Sequence, residues 1–425
     1  MPALPFVVRA AAVLAALTLT ATLTPYAVAT DTQATAADRS YARDAQRPNV
    51  RFATFNASLN RPIEGQLAKD LSTPDNTQAK VIAEIIQRTN PDVVLVQEFD
   101  YDATGTSVRL FADNYLAKSQ NGAPGIDYPY RFSAPVNTGV PSGMDLNNDG
   151  KIGGAEDAFG FGEFPGQYGM VVYSKYPIDT AGIRTFQNFR WADMPGAMLP
   201  DDPATPEPAD WYSPEELTRL RLSSKSHWDV PIKINNSTVR FLAAHPTPPT
   251  FDGPEDRNGT RNNDEIRFWA DYIAGGKRAS YIVDDQGGKG GLSPRDSFVI
   301  AGDHNSDPLD GDSVPGAIDQ LLKSNRVNSR KIPSSEGAVE AAELQGGPNA
   351  DHKAPARYDT ADFSEPPGNI RVDYVLPSRN LSVSDTGIFW PTSDDPLSRL
   401  TGTYPFPSSD HRLVWLDVKA KGRLR

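Results

Sequence analysis

The sequence predicts an α/β domain, on three observations. Short apolar runs of strand length alternate with segments of helical periodicity. Polar residues gather at the exits of those runs, as they do where a site lies along strand tips. The chain, at 425 residues with 38 % hydrophobic and 23 % charged residues, is long enough to bury a full core without covalent staples. Val50 to Ala57 reads as the first strand, and Asp75 to Thr89 as a helix with Ala79, Ile82 and Ile86 on one face, preceded by Pro74 and stopped by Asn90-Pro91. Val93 to Gln97 is a continuous apolar strand. Further strands are expected at Met170–Tyr173, Val239–Ala244, Phe298–Ala301, Val372–Leu376 and Leu413–Val418, and helices at Ile266–Ala274 and Ala317–Ser324. The stretches 100–167, 185–228, 246–264 and 326–370 read as long loops, a length usually tied to function or disorder. No internal repeat and no second domain are evident.

Composition narrows the chemistry. The chain has no cysteine, which excludes disulfides, thiolate zinc sites and Cys nucleophiles. Its formal charge of −12 argues against a protein that holds nucleic acid by a basic surface. It leaves open an enzyme that cuts phosphate esters with bound cations, which supply positive charge. Residues 1–29 read as a secretory signal: Arg9, the apolar run Ala10–Leu23, and Ala27-Val28-Ala29 as a small-x-small cleavage site. The run is too short to span a bilayer and breaks at Pro25. Residues 30–48 read as a flexible polar leader, and 49–420 as one domain of an exported protein.

Five fragments place polar residues at strand exits: Thr54-Phe55-Asn56, Val96-Gln97-Glu98, Ala244-His245-Pro246, Gly302-Asp303-His304-Asn305 and Ser409-Asp410-His411. Singly, each has a bland reading as a turn former, an Asx turn or a solvated charge. Together, Glu98, Asp303, Asp410, Asn56, Asn305, His245 and His411 form a set of hard oxygen donors plus bases. Such donors suit Mg²⁺, Mn²⁺ or Ca²⁺ rather than zinc. Phosphate-ester cleavage needs this kit: a cation on the phosphoryl oxygens, donors for developing charge, and a base for water.

In order, the fragments FNAS, VLVQE, YGMVVYSKYPI, AAHP, GDHN, RVDYVL and SSDH resemble the endonuclease/exonuclease/phosphatase superfamily, the DNase I-like fold. The resemblance runs from residue 50 to 418. It implies a four-layer α/β/β/α sandwich with the site at one edge of two packed sheets. It implies Glu98 as principal metal ligand, with Asn56 and Asp410 beside it, and Mg²⁺ or Mn²⁺ as the catalytic ion. His411 would face the scissile phosphate, oriented by Asp373; Asp303 would align or deprotonate water; Asn305 and His245 would donate to phosphoryl oxygens. The chain departs from the family at His304, where an aromatic normally packs beneath the site, and a structural role is expected for it. After His245, Arg257, Arg261 and Arg267 are candidates for substrate anions, with surface solubility the blander reading.

A separate motif occupies 145–156. Asp145, Asn147, Asp149, Gly150, Lys151 (through its carbonyl), Ile152 and Glu156 fit the twelve-residue calcium loop, against the bland reading of an Asp/Asn/Gly turn. Its flanks do not read as paired helices, so a structural Ca²⁺ clamp is expected. His227 and His352 carry no functional expectation, and Trp211-Tyr212 and Trp390-Pro391 read as packing. The function expected is a secreted, metal-dependent phosphoesterase, monomeric and without membrane insertion, acting on a diester (DNA or RNA among them) or a monoester. A phospholipase C- or sphingomyelinase-like hydrolase, with Phe159, Phe161 and Phe164 as membrane contacts, and a non-catalytic calcium-stabilised binding protein are the alternatives.

Overall fold

The computed structural model describes residues 49–364 and 366–419, so the expected signal segment and leader lie outside the described residues. In chain order the first strands are β1 (Asn49–Leu59), β2 (Val93–Phe99), β3 (Tyr130–Phe132), β4 (Met170–Ser174), β5 (Arg184–Thr185), β6 (His227–Ile234) and β7 (Ser237–Ala244). The rest are β8 (Ser297–Asp303), β9 (Ala361–Asp362), β10 (Asn369–Ile370), β11 (Asp373–Pro377), β12 (Val383–Ile388) and β13 (Val414–Lys419). A six-stranded sheet has the order β12-β13-β1-β2-β4-β3, and a five-stranded sheet the order β11-β8-β7-β6-β5.

Strand alternation builds four layers. Phe52, Leu95, Val172 and Leu416 of one sheet meet Trp228, Phe241, Val299 and Val375 of the other in a central core, where Phe52 and Phe241 stack at 5.8 Å. Their neighbours in sequence point outward. Phe55, Val94 and Val171 pack under the helix Thr77–Thr89 through Ile82, Ile85 and Ile86. On the far side Leu242, Ile300 and Tyr374 pack under the helix Arg257–Ala274 through Ile266, Trp269 and Ile273. Each fully buried large side chain contributes about 1.5–3 kcal/mol, so all three interfaces hold the sandwich. The α/β/β/α architecture expected for the family is the one observed.

Topology fixes where the site falls. β1 and β2 run parallel, with Asn56 opposite Gln97, and β7 and β8 run parallel, with Ala243 opposite Ala301. Their C-terminal ends therefore share one edge. Antiparallel β11 begins there, with Asp373 opposite Asp303, and β13 begins just after His411.

Several elements differ from the sequence reading, each for a physical reason. β6 went unpredicted because Asp229, Pro231 and Lys233 interrupt its apolar pattern. Asp229 is nevertheless buried, bound by Arg240 (2.6 and 2.7 Å) and by the Tyr272 hydroxyl (2.5 Å). The helix expected from Ile266 begins at Arg257. Its first turns carry Asn262, Asp264 and Glu265, polar residues that are buried because loops hydrogen-bond to them, so no apolar stripe marks them. The helix Glu336–Gln345 lies inside the stretch read as loop 326–370. The helix expected at 317–324 is a single turn, Asp319–Leu322. Among the described residues no helix is long and apolar enough to cross a membrane.

Candidate functional site

Residues from both sheets converge on the carboxylate of Asp303, 1 % exposed at the end of β8. Its Oδ2 accepts from Asn56 Nδ2 at 3.2 Å. It also faces His245 Nε2 at 3.3 Å and His411 Nε2 at 3.6 Å. Its Oδ1 accepts the backbone N–H of Asn305 at 2.9 Å. Asn56 and His411 belong to the six-stranded side; Asp303, His245 and Asp373 belong to the five-stranded side. The sequence alone could not show that Asp303 is the meeting point.

The second carboxylate is Glu98, at the tip of β2. It accepts from Asn56 Nδ2 (3.0 Å) and from Asn60 Nδ2 (2.8 Å). Glu98 adopts φ 53° and Asn305 φ 51°. Left-handed backbone of this kind costs about 1–3 kcal/mol outside glycine and gathers at functional sites, where surrounding contacts hold it. Asp410 lies within electrostatic reach of Glu98 and accepts from Ser409 Oγ at 3.3 Å. Burial, with the Asp410 charge adding, raises the Glu98 carboxyl above its ordinary range. Among the described residues no Lys, Arg or His nitrogen lies within 4.0 Å of either carboxylate. Two hard-oxygen acids within electrostatic reach of each other, neither in an ion pair among the described residues, are a donor set that fits Mg²⁺ or Mn²⁺. Asn56 fits less simply: it turns its N–H toward both acids and its Oδ1 toward the Ser58 N–H (3.3 Å). In this orientation it braces Glu98 and Asp303 rather than offering a ligand oxygen.

His411 is buried, and its Nδ1 lies 2.9 Å from Asp373 Oδ2, which directs Nε2 at Asp303. The edge of Phe363 packs on the ring, with centroids 5.2 Å apart. Burial opposes charge on His411, but the Asp373 and Asp303 carboxylates outweigh it and hold the imidazole well above its ordinary value. Asp303 is pushed up to about 6, chiefly by burial and against the pull of His411. His245 goes the other way. Burial first, then the charges of Lys225 and His411, keep it well below its usual value and neutral. Its contact is with Asp303, and its Nδ1 is buried without a partner. In this arrangement the ring faces the Asp303 carboxylate. Asn305 spends one N–H on the Pro246 carbonyl (3.1 Å) and keeps a second.

Sequence reading missed Asn60 and Lys225, and quoted Ser58 and Ser409 within motifs without giving them a role. Ser58 and Ser409 join their hydroxyls at 3.0 Å, tying the tip of β1 to the Asp410-His411 segment. Asn60 had a signal, a second amide four residues after Asn56. Lys225 had none, because the strand it precedes was not recognised.

His304 is fully buried against Tyr374, with ring centroids 5.8 Å apart and both ring nitrogens unpartnered. Burial depresses it to about 3. The unfolded chain takes the proton near 6.5 and the fold refuses it, so native stability is lost as pH falls below about 6.5. His304→Phe is expected to stabilise the protein by about 1–3 kcal/mol at pH 7, by removing two orphaned polar atoms. The gain should grow by about 2 kcal/mol at pH 5. Urea midpoints at the two pH values check it; equal midpoints for both proteins at pH 5 would refute it.

The arginines after His245 bond to the protein itself. Arg261, buried, donates to the carbonyls of Leu222 and Arg221 (2.8 and 3.0 Å). Arg267 binds those of Gly196 and Pro195. Arg257 pairs with Glu255 and stands 3.7 Å from Glu156. In each case the guanidinium is engaged by groups of the protein. His227 is buried between Ser223 Oγ (2.7 Å) and the Glu265 carbonyl (2.9 Å), and Trp390 is buried beneath Arg412. In the loop 145–156, Asp145 accepts from the N–H groups of Asp149 and Gly150 (3.1 and 2.8 Å), Asn147 from Asp149 (3.1 Å), and Asp149 from Lys151 (2.8 Å). Glu156 is exposed and turned toward Arg257.

A two-sheet α/β sandwich with acids, amides and imidazoles at one strand edge defines the class. The chain belongs to the endonuclease/exonuclease/phosphatase family, whose model matches residues 53–411. None of the curated proteins matches it. Similar solved structures include an endonuclease/exonuclease/phosphatase from Beutenbergia cavernae, at 18 % identity over 88 % of this chain and 72 % of that one, TM-score 0.46. A mannosyl-6-phosphatase from Bacteroides thetaiotaomicron shares 12 % identity over 87 % of this chain and all of its own, TM-score 0.41. The beta toxin of Staphylococcus aureus, with bound magnesium ions, shares 13 % over 88 % of this chain and all of its own, TM-score 0.42.

Proposed function

We propose that this protein is an exported, divalent-metal-dependent phosphoesterase that hydrolyses a phosphodiester or phosphomonoester by direct attack of water. The observation that carries the reading is the Asp303 carboxylate, held between Asn56, His245 and His411 beside the Glu98–Asp410 pair. Glu98 and Asp410 would hold Mg²⁺ or Mn²⁺, joined by Asn56 Oδ1 if its amide turns, and the ion would supply Lewis-acid charge to a phosphoryl oxygen.

The chain's own residues divide the remaining work. Asp303, pushed up to about 6, is basic enough to take a proton from an aligned water near neutral pH. His411, kept protonated by Asp373, donates from Nε2 to phosphoryl oxygen as charge develops. Asn305 adds its free N–H, while Asn56 and His245 fix the Asp303 carboxylate. No residue here acts as a covalent nucleophile.

The test is hydrolysis of bis(p-nitrophenyl) phosphate, p-nitrophenyl phosphate, plasmid DNA, RNA and sphingomyelin, with Mg²⁺ or Mn²⁺ and after chelation. Turnover abolished by chelator and restored by metal is expected. Absence of turnover on every ester by folded protein would overturn the reading in favour of a binding role. For a lipid substrate the aromatic loop offers one exposed ring, Phe161, since Phe159 and Phe164 are buried.

We also infer that residues 145–156 take up Ca²⁺ as a structural clamp, a reading that rests on the spacing of the motif. Removing Ca²⁺ should lower the melting temperature by several degrees, and Asp145→Ala with Glu156→Ala should abolish that response. Identical melting with and without Ca²⁺ would rule the clamp out.

A further inference from the structure

Lys225 stands out among the charged groups around the site. It lies on Ser223–Ser226, ahead of β6. Because His227 pairs with Ala244, the segment continues past the end of β7 alongside His245 and Pro246. Its backbone is pinned on every side. Ser224 N–H donates to Glu265 Oε1 (2.7 Å), Ser224 Oγ donates to the His245 carbonyl (3.3 Å), and the Lys225 carbonyl accepts from Asn137 N–H (2.8 Å).

Only 6 % of the residue is exposed, yet among the described residues its ammonium makes no hydrogen bond and no ion pair. Its three N–H donors go to no group among the described residues. Glu265, the acid it feels most strongly, is already occupied by the N–H groups of Ser224 and Thr247 and the Ser224 hydroxyl. The other charges it senses are the acids Glu98 and Asp303 and the cation Arg261, and in turn it helps keep His245 neutral. A lysine this desolvated and without an ion pair is costly, and proteins retain one where something else completes it.

We propose that Lys225 forms an anion subsite, its ammonium contacting a non-bridging oxygen of the substrate's phosphoryl group. The assignment rests on the phosphoesterase reading above. It adds a catalytic contact drawn from the segment that leads into β6, which contributes no other site residue. The chemistry matches: charge-assisted N–H···O contacts are the strong ones, and a donor fixed before reaction needs no reorganisation as charge develops.

The experiment compares wild type, Lys225→Met and Lys225→Arg as full-length, metal-loaded protein on the phosphate ester that wild type turns over fastest, with inorganic phosphate as competing anion. Lys225→Met should lose about 10²-fold in kcat/KM and bind phosphate about tenfold to a hundredfold more weakly. Lys225→Arg should recover part of both. Melting temperature should stay level or rise in Lys225→Met, since a desolvated amine without an ion pair is removed. Unchanged phosphate inhibition and turnover would overturn the proposal, as would a fall in melting temperature with phosphate inhibition intact. If wild type hydrolyses no ester, the functional reading fails, while calorimetric phosphate binding by the same three proteins still decides Lys225: equal affinities would reject it.

Discussion

Asp303→Asn is expected to cut kcat by about 10³-fold or more on any ester the protein hydrolyses, with KM changing little. The substitution keeps the shape of the side chain but removes the basicity that burial raises to about 6. A positioned general base alone contributes about 10²–10⁴-fold. It also breaks the local hydrogen-bond logic. Asn56 Nδ2, His245 Nε2 and His411 Nε2 all address Oδ2, and an amide N–H at that place would meet donors. Steady-state kinetics on the purified variant, with circular dichroism to verify folding, check the result. Turnover within tenfold of wild type would remove Asp303 from the reaction.

His411→Ala should cost about 10²–10³-fold in kcat, the loss typical of one preorganised donor to the transition state. The more informative companion is Asp373→Asn. Asp373 Oδ2, 2.9 Å from His411 Nδ1, is the leading favourable contribution that keeps the imidazole charged. With that charge neutralised, His411 should release its proton at lower pH. Activity that needs the imidazolium falls as pH rises through this value. The alkaline limb of the rate profile should therefore move to lower pH in Asp373→Asn. An unmoved alkaline limb would show that the pair orients without setting charge.

The sequence made the strand tips legible because each joins an apolar run to an abrupt polar residue. Asn56, Glu98, His245, Asp303 and His411 were nameable for that reason, and Asp373 through the family resemblance of RVDYVL. How they divide was not legible. The turn of His245 toward Asp303, and the amide orientation of Asn56, depend on which sheet each strand joins and on burial that depresses one imidazole while neighbouring acids elevate the other. β6 and the first turns of the helix at 257–274 escaped because their buried faces are polar and internally paired, as with Asp229 and Arg240. Periodicity reads water-avoiding side chains and is blind to satisfied polar ones. Lys225 was lost with β6, which shows how one unrecognised strand conceals a charge at its threshold.

The reactive edge straddles a seam. Asn56 bonds to Asp303 and His411 to Asp373 across the gap between the sheets, while the spacing of that gap is set by side chains such as Phe52 and Phe241 stacked in the central core. The sandwich filling thus acts as a gauge block for the chemistry. Thinning it at a position remote from any ester would slide the base away from its brace, and such a protein could keep its shape yet fall silent.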